Sequence, residues 1–214
     1  AIMVYDNEGT RYDSDGGLGK VKAMGLDLKR SDTPVVIQDF LKDILDDLLS
    51  NKDKDYIIGQ ITKFKKEFKS KPSWEKGTPK RVNRLTMYGK VMETEVAEKK
   101  KGNKVPTIPG HVRAAINWNN LRKINKDNHS MEISDGMKTV VCKLKDNQFG
   151  YTSVGIPIDE HNIPKWYTDL PFDDALMETN LIDKKVENLL GVLDWDLINR
   201  TNINSTINDL FDFG

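Results

Sequence analysis

The spacing of apolar residues over positions 31–69 places the strongest constraint on how this chain can fold. Two groups of large apolar side chains recur there every three or four residues, which is the period of one face of an α-helix. The first group is Ile37, Phe40, Leu41, Ile44, Leu45 and Leu48, and the second is Ile57, Ile61, Phe64 and Phe68. Helix-start residues, Ser31 to Pro34, precede the first group. The sequence therefore predicts two amphipathic helices, one after Pro34 and one over 55–69, with core-forming apolar faces.

Strand-like stretches occur near the start of the chain and again after its middle. Residues 1–6 and about 20–30 have strand character, with a break at Gly25 and turn residues between the two stretches. Residues 137–157 predict a strand pair, in which Asp146 to Gly150 form the connection. We therefore expect a small antiparallel pair at the beginning and a short β element near 138–157.

The remaining segments differ in how regular they are. Helical spacing returns over 110–123 and over 171–193. The expected buried faces are Val112, Ala115, Ile116 and Asn119 in the first, and Leu176, Ile182, Val186, Leu189 and Leu190 in the second. Residues 70–109 are interrupted by Pro and Gly, so we expect short elements joined by loops. The predicted fold class is α+β, mostly helical with small antiparallel β elements.

The composition is that of a polar globular protein in a reducing compartment. The 214 residues are 37% hydrophobic and 31% charged, enough to bury a core. The single cysteine, Cys142, excludes an internal disulfide and is expected to be a small buried hydrophobe. No apolar run approaches the roughly 20 residues of a membrane span. We expect a cytoplasmic location and no membrane partner. The chain also opens on a strand-like stretch, so we expect a piece of a longer protein.

The charges are unevenly distributed although they cancel over the whole chain. Residues 61–126 contain 18 Lys and Arg against 5 Glu and no Asp. Residues 158–214 contain 4 Lys and Arg against 12 Asp and Glu. This asymmetry indicates either a middle segment that binds a polyanion or an ordinary solvated helical surface crossed by ion pairs. Charge alone does not decide between these two interpretations.

A search for a catalytic or metal-binding motif finds no complete one. Asp13 and Asp15 form a carboxylate pair beside a turn, but no third ligand accompanies them. Residues 16–20 are glycine-rich, yet Ser14 and Val21 stand where a phosphate-binding loop needs Gly and Ser or Thr. The three histidines are scattered, without a second metal ligand at the usual spacing. We therefore expect no catalytic residue, no metal site and no cofactor in this segment.

The end of the chain has the pattern of a tethered docking peptide. Residues 194–206 are polar and rich in Asn, as in a flexible linker. Four large apolar residues follow at the terminus, namely Ile207, Leu210, Phe211 and Phe213. Such a peptide could fill a hydrophobic groove on a partner, or it could fold back onto its own domain.

Several blocks of the sequence resemble the family B DNA polymerases of T-even-type phages. The terminal block, Thr206 to Phe213, is similar to the sliding-clamp-binding end of these enzymes. Blocks at 5–12, 22–27 and 30–34 resemble the segment that leaves the palm domain and enters the thumb, and Pro109 to Ala115 resembles a short helix start in the thumb. The resemblance is patchy over 70–104 and 124–150.

The resemblance implies a division into three parts. Residues 1–30 would be the end of the palm, residues 31–193 the thumb, and residues 194–214 a tether with the clamp-binding tail. The intact parent would be a DNA-directed DNA polymerase, a nucleotidyltransferase of DNA replication that uses Mg²⁺. The family's catalytic carboxylates, fingers domain and basic primer-contacting element lie upstream of the matched segment. This fragment is therefore expected to bind DNA without polymerising it.

The resemblance also gives the basic middle a function. A thumb holds the primer–template duplex behind the active site, and a grip that slides over any sequence should use phosphate contacts. The candidate phosphate ligands are Lys80, Arg81, Arg84, Lys90, Lys104 and Arg113, with Asn83, Tyr88 and His111 as hydrogen-bonding neighbours. The run Lys99 to Lys101 ranks below them, because isolated lysine runs are usually solvated. The expected partners are duplex DNA and a sliding clamp, the latter through Ile207, Leu210, Phe211 and Phe213.

Two other functions remain open at this point. One is a stand-alone, non-enzymatic replisome accessory protein that binds nucleic acid and has a clamp-binding tail. The other is a small hydrolase in which the fold brings a histidine to Asp13 and Asp15.

Overall fold

The described part of the chain forms two compact units. The computed structural model describes residues 2–5, 20–23 and 27–193. One unit takes in the described residues up to Lys71 and from Glu178 onward, and the other comprises Pro72–Met177. The fold class is α+β and mostly helical, as predicted. Among the described residues, no helix has both the length and the apolar character needed to cross a membrane.

The first unit combines an antiparallel strand pair with helices. Strand β1 (Ile2–Tyr5) pairs with β2 (Lys20–Ala23), with Ile2 opposite Ala23 and Tyr5 opposite Lys20. After a 3-10 turn (Asp27–Lys29) come α1 (Val35–Leu49) and α2 (Lys54–Ser70). These bounds confirm the two predicted helices and the antiparallel pair. The assignment of that pair to a palm domain stays a prediction, as do the predicted domain boundaries.

The core of the first unit consists of the predicted apolar faces. Buried side chains of α1 and α2 pack against later residues of the chain, and the rings of Phe40 and Phe64 stack with centroids 3.9 Å apart. The buried set is Ile37, Phe40, Leu41, Ile44, Leu45, Ile57, Ile58, Ile61, Phe68, Leu181, Ile182, Val186, Leu189 and Leu190. The later residues, Leu181 to Leu190, belong to two short helical elements that are described below.

The turn between α1 and α2 is closed by backbone hydrogen bonds. Asn51 has a φ of 58°, the left-handed conformation that Asn accepts more readily than most residues. The amide of Asn51 donates to the carbonyl of Leu48, and the amide of Lys52 donates to the carbonyl of Asp47. Asp53 then caps α2 by accepting a hydrogen bond of 2.8 Å from the amide of Tyr56. The result is a tight helical hairpin.

A buried lysine lies inside the first unit. The side chain of Lys65 is 1% exposed, and its ammonium lies 2.9 Å from the carboxylate of Asp183 and 3.1 Å from that of Glu178. A buried charge is tolerated only when opposite charges and hydrogen bonds compensate for lost hydration. Glu178 precedes a π-helical turn, Thr179–Asp183, and Asp183 is its last residue. The triad joins α2 to the C-terminal helical residues.

The predicted helix over 171–193 is divided in the structure. It consists of α6 (Asp174–Glu178), the π-helical turn, α7 (Lys184–Leu190) and a 3-10 turn (Gly191–Leu193), and is preceded by the short α5 (Lys165–Thr168). Four of its five predicted core residues are buried. The fifth, Leu176, is 41% exposed. Leu176 precedes the π-helical turn and lies six residues before Ile182, a spacing that does not return to the same face of a helix.

The second unit is built on a three-stranded antiparallel sheet. Its strands are β3 (Thr78–Arg81), β4 (Lys138–Lys143) and β5 (Ser153–Pro157), in the order β3-β4-β5. The β element near 138–157 is therefore confirmed. The predicted helix over 110–123 is also confirmed as α4 (Gly110–Ile124). It packs on β5, where a Cβ on Gly155 would lie 3.5 Å from the backbone of Ala114 and Ala115.

Aromatic residues fill the core of the second unit. Trp118 and Tyr167 are fully buried, and their rings meet edge to face with centroids 5.2 Å apart. The hydroxyl of Tyr167 donates to the sulfur of Cys142, and the Cys142 thiol in turn lies 3.5 Å from the carbonyl oxygen of Trp74. Burial raises the pKa of the Cys142 thiol to about 12. Cys142 is therefore a buried, unreactive hydrophobe, as predicted.

The expectation of short elements alone over residues 70–109 was wrong, because the segment contains one long helix. This segment forms the strand β3 and a helix of 16 residues, α3 (Leu85–Lys100), in addition to a short 3-10 turn (Ser73–Glu75). None of the residues of α3 is fully buried. Its half-buried residues Leu85, Tyr88, Val91 and Met92 pack against Ile108, Val112 and Ile116. A helix that buries so little shows a weak apolar period, which explains why the sequence pattern did not reveal it.

Candidate nucleic-acid interface

The first two predicted phosphate ligands lie on the edge strand of the second unit. Lys80 and Arg81 are the last two residues of β3, which pairs with a neighbour on one side only. Pro79 fits this position, since it has no backbone N–H to donate and prolines in sheets are confined mostly to edge strands. Lys80 is half-buried and Arg81 is exposed. The edge strand thus presents two adjacent cations on alternate faces of the sheet.

The strand register adds a cation that sequence reasoning missed. Arg81 lies directly opposite Lys138, the first residue of β4, and both side chains are exposed. Directly opposed residues of an antiparallel pair share a face of the sheet, where like charges destabilise the pairing. No ion pair of Arg81 or Lys138 is present within the described residues 28–193. Lys138 could have been found from the sequence only by predicting β3 and its register with β4.

Asn83 and Arg84, the next two predicted site residues, lie in a tight turn after β3. The amide of Val82 donates to the carbonyl of Met137, and the carbonyl of Val82 accepts from the amide of Gly136. These bonds hold the turn against the start of β4 and leave Asn83 and Arg84 exposed.

The backbone of Arg84 has an unusual conformation for its side chain. Its φ is 59°, in the left-handed region that costs a non-glycine residue about 1 kcal/mol. Arg84 makes no side-chain cap for α3, and the carboxylate of Asp135 accepts from the amide of Leu85 instead. A guanidinium has no acceptor with which to cap a helix start, so Asp135 supplies the acceptor and Arg84 occupies the N-cap position through its backbone alone.

Helix α3 carries Tyr88 and Lys90. Tyr88 is half-buried against Ile108, Val112 and Ile116, whereas Lys90 is exposed. The sequence from Gly77 to Met92 contains four cations, Lys80, Arg81, Arg84 and Lys90, and no Asp or Glu. The first turns of α3 therefore add positive charge without an acidic residue of their own.

His111 in the first turn of α4 lies within electrostatic reach of Lys80. Partial burial lowers the pKa of His111, and the positive charge of Lys80 lowers it further. Both causes favour the neutral imidazole, which can donate one hydrogen bond and accept one. The structure thus brings together two predicted site residues from β3 and α4.

Arg113 is differently placed, because it is held by an acidic residue. Its guanidinium lies 3.0 Å from the carboxylate of Glu95 on α3, and Lys99 lies 2.6 Å from the same carboxylate. Hydrogen bonds from Lys99 and Arg113 lower the pKa of Glu95. The ion pair therefore links α4 to α3. A phosphate would have to compete with Glu95 for the guanidinium of Arg113.

Two lysines at the end of α3, Lys99 and Lys101, also form ion pairs with carboxylates of that helix. Lys101 pairs with Glu98 at 3.0 Å. Lys104 lies beyond them in the connection to α4 and is exposed. We use the term basic surface for the end of β3 and the start of α3: Lys80 and His111 on one side of the edge strand, Arg81 and Lys138 on the other, and Asn83, Arg84 and Lys90 in the turn and helix that follow. Lys104 lies farther along the chain, and Arg113 is already paired.

The remaining predicted site residues lie outside the part of the chain that the structure describes. Asp13 and Asp15, together with the clamp-binding residues Ile207, Leu210, Phe211 and Phe213, lie outside the described residues. Within the described part of the chain, no group of three or more His, Cys, Asp and Glu side chains is arranged to hold a metal ion.

Comparison with protein families and with curated proteins finds no relative of this chain. No protein-family model matches it, and no curated protein matches its sequence at a significant level.

Proposed function

We propose that this chain is the thumb region of a replicative DNA polymerase of the phage family B type, with the end of the palm before it and a clamp-binding tail after it. In this proposal the basic surface holds primer–template duplex DNA in the host cytoplasm. The polymerase activity and its Mg²⁺ belong to the intact parent. The blocks of sequence resemblance support the family, and the basic surface supports the DNA contact.

The observation that best supports binding of a polyanion is the pair of opposed cations, Arg81 and Lys138. Placing like charges directly across two strands works against the pairing of those strands, so it adds nothing to the stability of the sheet. A phosphate group between the two side chains would remove that repulsion and pair both charges. Arg84 and Lys90 extend the positive charge along α3, as a backbone-tracking contact requires.

Two neutral polar side chains next to cations of the basic surface are suited to contacts that do not depend on base sequence. Asn83 is exposed beside Arg84, and the neutral imidazole of His111 lies near Lys80. Amide and imidazole N–H groups donate to phosphate oxygens without reading base edges. A polymerase that moves along its template needs contacts of this kind.

Duplex binding by the full chain tests the proposal directly. Fluorescence anisotropy with a labelled primer–template should show binding that weakens steeply with salt. Arg81→Ala and Lys138→Ala should each weaken binding and reduce the magnitude of the log–log salt slope by about 0.9. Lys145→Ala is the matched control, since Lys145 is exposed beyond the other end of β4. Equal losses in all three variants, or no duplex binding at low salt, would reject the basic surface as the DNA site.

A second experiment tests the tail separately. The full chain and a version lacking residues 204–214 are compared for binding to a phage-type sliding clamp by surface plasmon resonance. The proposal expects binding that is lost on truncation, while duplex affinity is unchanged. A clamp that binds both versions equally would remove the tail from the proposal and leave the DNA surface standing.

A further inference from the structure

A groove between α1 and α2 combines an apolar floor with an acidic rim. The groove has a volume of about 310 Å³, and Phe40, Ile44 and Phe64 lie along its floor. At one end Val36 is 40% exposed, so apolar surface reaches solvent there. All of the lining residues belong to the helical hairpin of the first unit.

The acidic rim comes mainly from one face of α1. Asp39, Asp43 and Asp47 follow one another at four-residue intervals, so their carboxylates lie one helical turn apart along the groove. Glu67 adds a fourth carboxylate from α2, where Lys63 is the single cation in the lining. The groove therefore carries three net negative charges beside exposed apolar surface.

These aspartates work against the stability of their own helix. Like charges four residues apart repel one another on a helix surface. The last turn of α1 contains Asp46 and Asp47 and no basic residue, although that end of a helix favours positive charge. Burial raises the pKa of Asp46, and the carboxylates of Asp43 and Asp47 raise it further, although the charge of Lys42 acts in the opposite direction. Since the acidic face lowers the stability of α1, its charge is better explained by a cationic occupant.

We propose that this groove binds a basic amphipathic helical segment of a partner protein. Apolar side chains of that segment would cover Val36 and the floor between Phe40 and Phe64. Lysine or arginine residues one turn apart would pair with Asp39, Asp43 and Asp47. The charge complementarity selects this occupant, because the same rim repels nucleic acid and acidic peptides. The spacing of the carboxylates matches the one-turn spacing of side chains on a helix.

A model peptide tests this groove in the full chain. The probe is a fluorescein-labelled helical peptide of Leu, Lys and Ala, with Leu every three or four residues and Lys on both sides of the Leu stripe. We expect saturable binding by fluorescence anisotropy. Asp43→Asn and Asp47→Asn should each weaken it about two- to fivefold, and Val36→Ser should weaken it as well. The aspartate variants remove repulsion within α1, so a loss of binding cannot come from unfolding of that helix.

Two controls separate a groove from a general charge effect. Glu187→Gln removes a carboxylate from an exposed position of α7 in the same unit and should leave peptide binding unchanged. A scrambled peptide of the same composition should bind much more weakly, because its apolar side chains no longer form a stripe.

Four results would overturn the proposal. They are no peptide binding, equal binding of the scrambled peptide, equal weakening by Glu187→Gln, and self-association of the chain that Asp43→Asn abolishes. The last result, seen by analytical ultracentrifugation, would assign the groove to a second copy of this chain instead. None of these outcomes depends on the DNA contact of the second unit.

Discussion

Lys80 and His111 lie close enough for the lysine charge to lower the pKa of the imidazole, although they belong to a strand and a helix separated by α3. This relationship makes His111 a reporter for any anion that enters the basic surface. A phosphate beside Lys80 would offset its charge and favour the protonated imidazole.

The first prediction concerns the titration of His111. Lys80→Ala should raise the pKa of His111 towards its ordinary value, because one of the two causes of its lowering is removed. Saturating duplex DNA should raise the pKa of His111 in the unsubstituted chain. NMR titration of the histidine side chains measures both effects, with His111→Gln for assignment. A duplex that shifts the signals of His161 but not those of His111 would contradict the proposed contact.

The same relationship fixes the sign of the pH dependence of binding. If the pKa of His111 is higher in the complex than in the free chain, the complex takes up a proton. Duplex affinity should then increase as the pH falls through the interval between the free and bound pKa values. In the His111→Gln variant this part of the pH dependence should disappear, as measured by anisotropy at constant ionic strength.

The second prediction separates stability from DNA binding at Arg81 and Lys138. Lys138→Glu should replace a repulsive cross-strand pair by an attractive one, and stabilise the fold by about 0.2–1 kcal/mol. The same change should weaken duplex binding, because it removes a cation from the basic surface and adds a carboxylate. Thermal unfolding and anisotropy measure the two effects. Lys145→Glu alters the net charge equally and should do neither.

The third prediction concerns a glycine that only the tertiary structure explains. A Cβ on Gly77 would lie 2.5 Å from Cγ1 of Val140, 2.7 Å from the sulfur of Cys142 and 2.8 Å from the carbonyl oxygen of Val141. Because one of these contacts is backbone, Gly77→Ala should destabilise the second unit by about 1–3 kcal/mol.

Gly89→Ala provides the control for Gly77→Ala in the same unit. Gly89 lies inside α3, and its Cβ would meet no atom within 4 Å. Alanine should therefore stabilise the helix by about 0.5–1 kcal/mol. Urea denaturation of both variants should give opposite signs, and equal destabilisation would show that the close packing around Gly77 is not the cause.

The fourth prediction concerns Asp127, which organises the segment after α4. Its carboxylate accepts hydrogen bonds from the backbone amides of His129 and Ser130, from the hydroxyl of Ser130 and, at 2.8 Å, from the indole of Trp166. Burial alone would raise the pKa of Asp127, but these hydrogen bonds outweigh it and lower the pKa well below the usual range. Asp127→Ala should cost about 1–3 kcal/mol, since it leaves these donors without their acceptor.

The lowered pKa also sets the pH range in which Asp127 contributes. The folded state favours the ionised carboxylate, so the contribution is complete above the unfolded pKa of about 3.9 and is lost as the pH falls below it. The stability difference between the unsubstituted chain and Asp127→Ala should therefore shrink in acid. Asp146→Ala, at an exposed position between β4 and β5, is the matched control for the removal of a carboxylate.

The accuracy of the sequence predictions followed the depth of burial of each element. The helices α1, α2 and α4 bury continuous apolar faces, and their periods were clear enough to predict them. Helix α3 has no fully buried residue and contains Gly89, so its period was weak and it was missed. The strand β3 was missed because it has only four residues and includes Pro79, which usually argues against a strand.

The sequence by itself determined the α+β class, the main helices, the basic character of the middle segment and the inert, buried state of Cys142. These properties follow from local periodicity and composition, which act over one or two helical turns. Only the tertiary structure placed Lys138 opposite Arg81, brought His111 within electrostatic reach of Lys80, and paired Arg113 with Glu95. Such pairs depend on strand register and helix packing between residues far apart in the chain, and a single sequence carries no local signal for either.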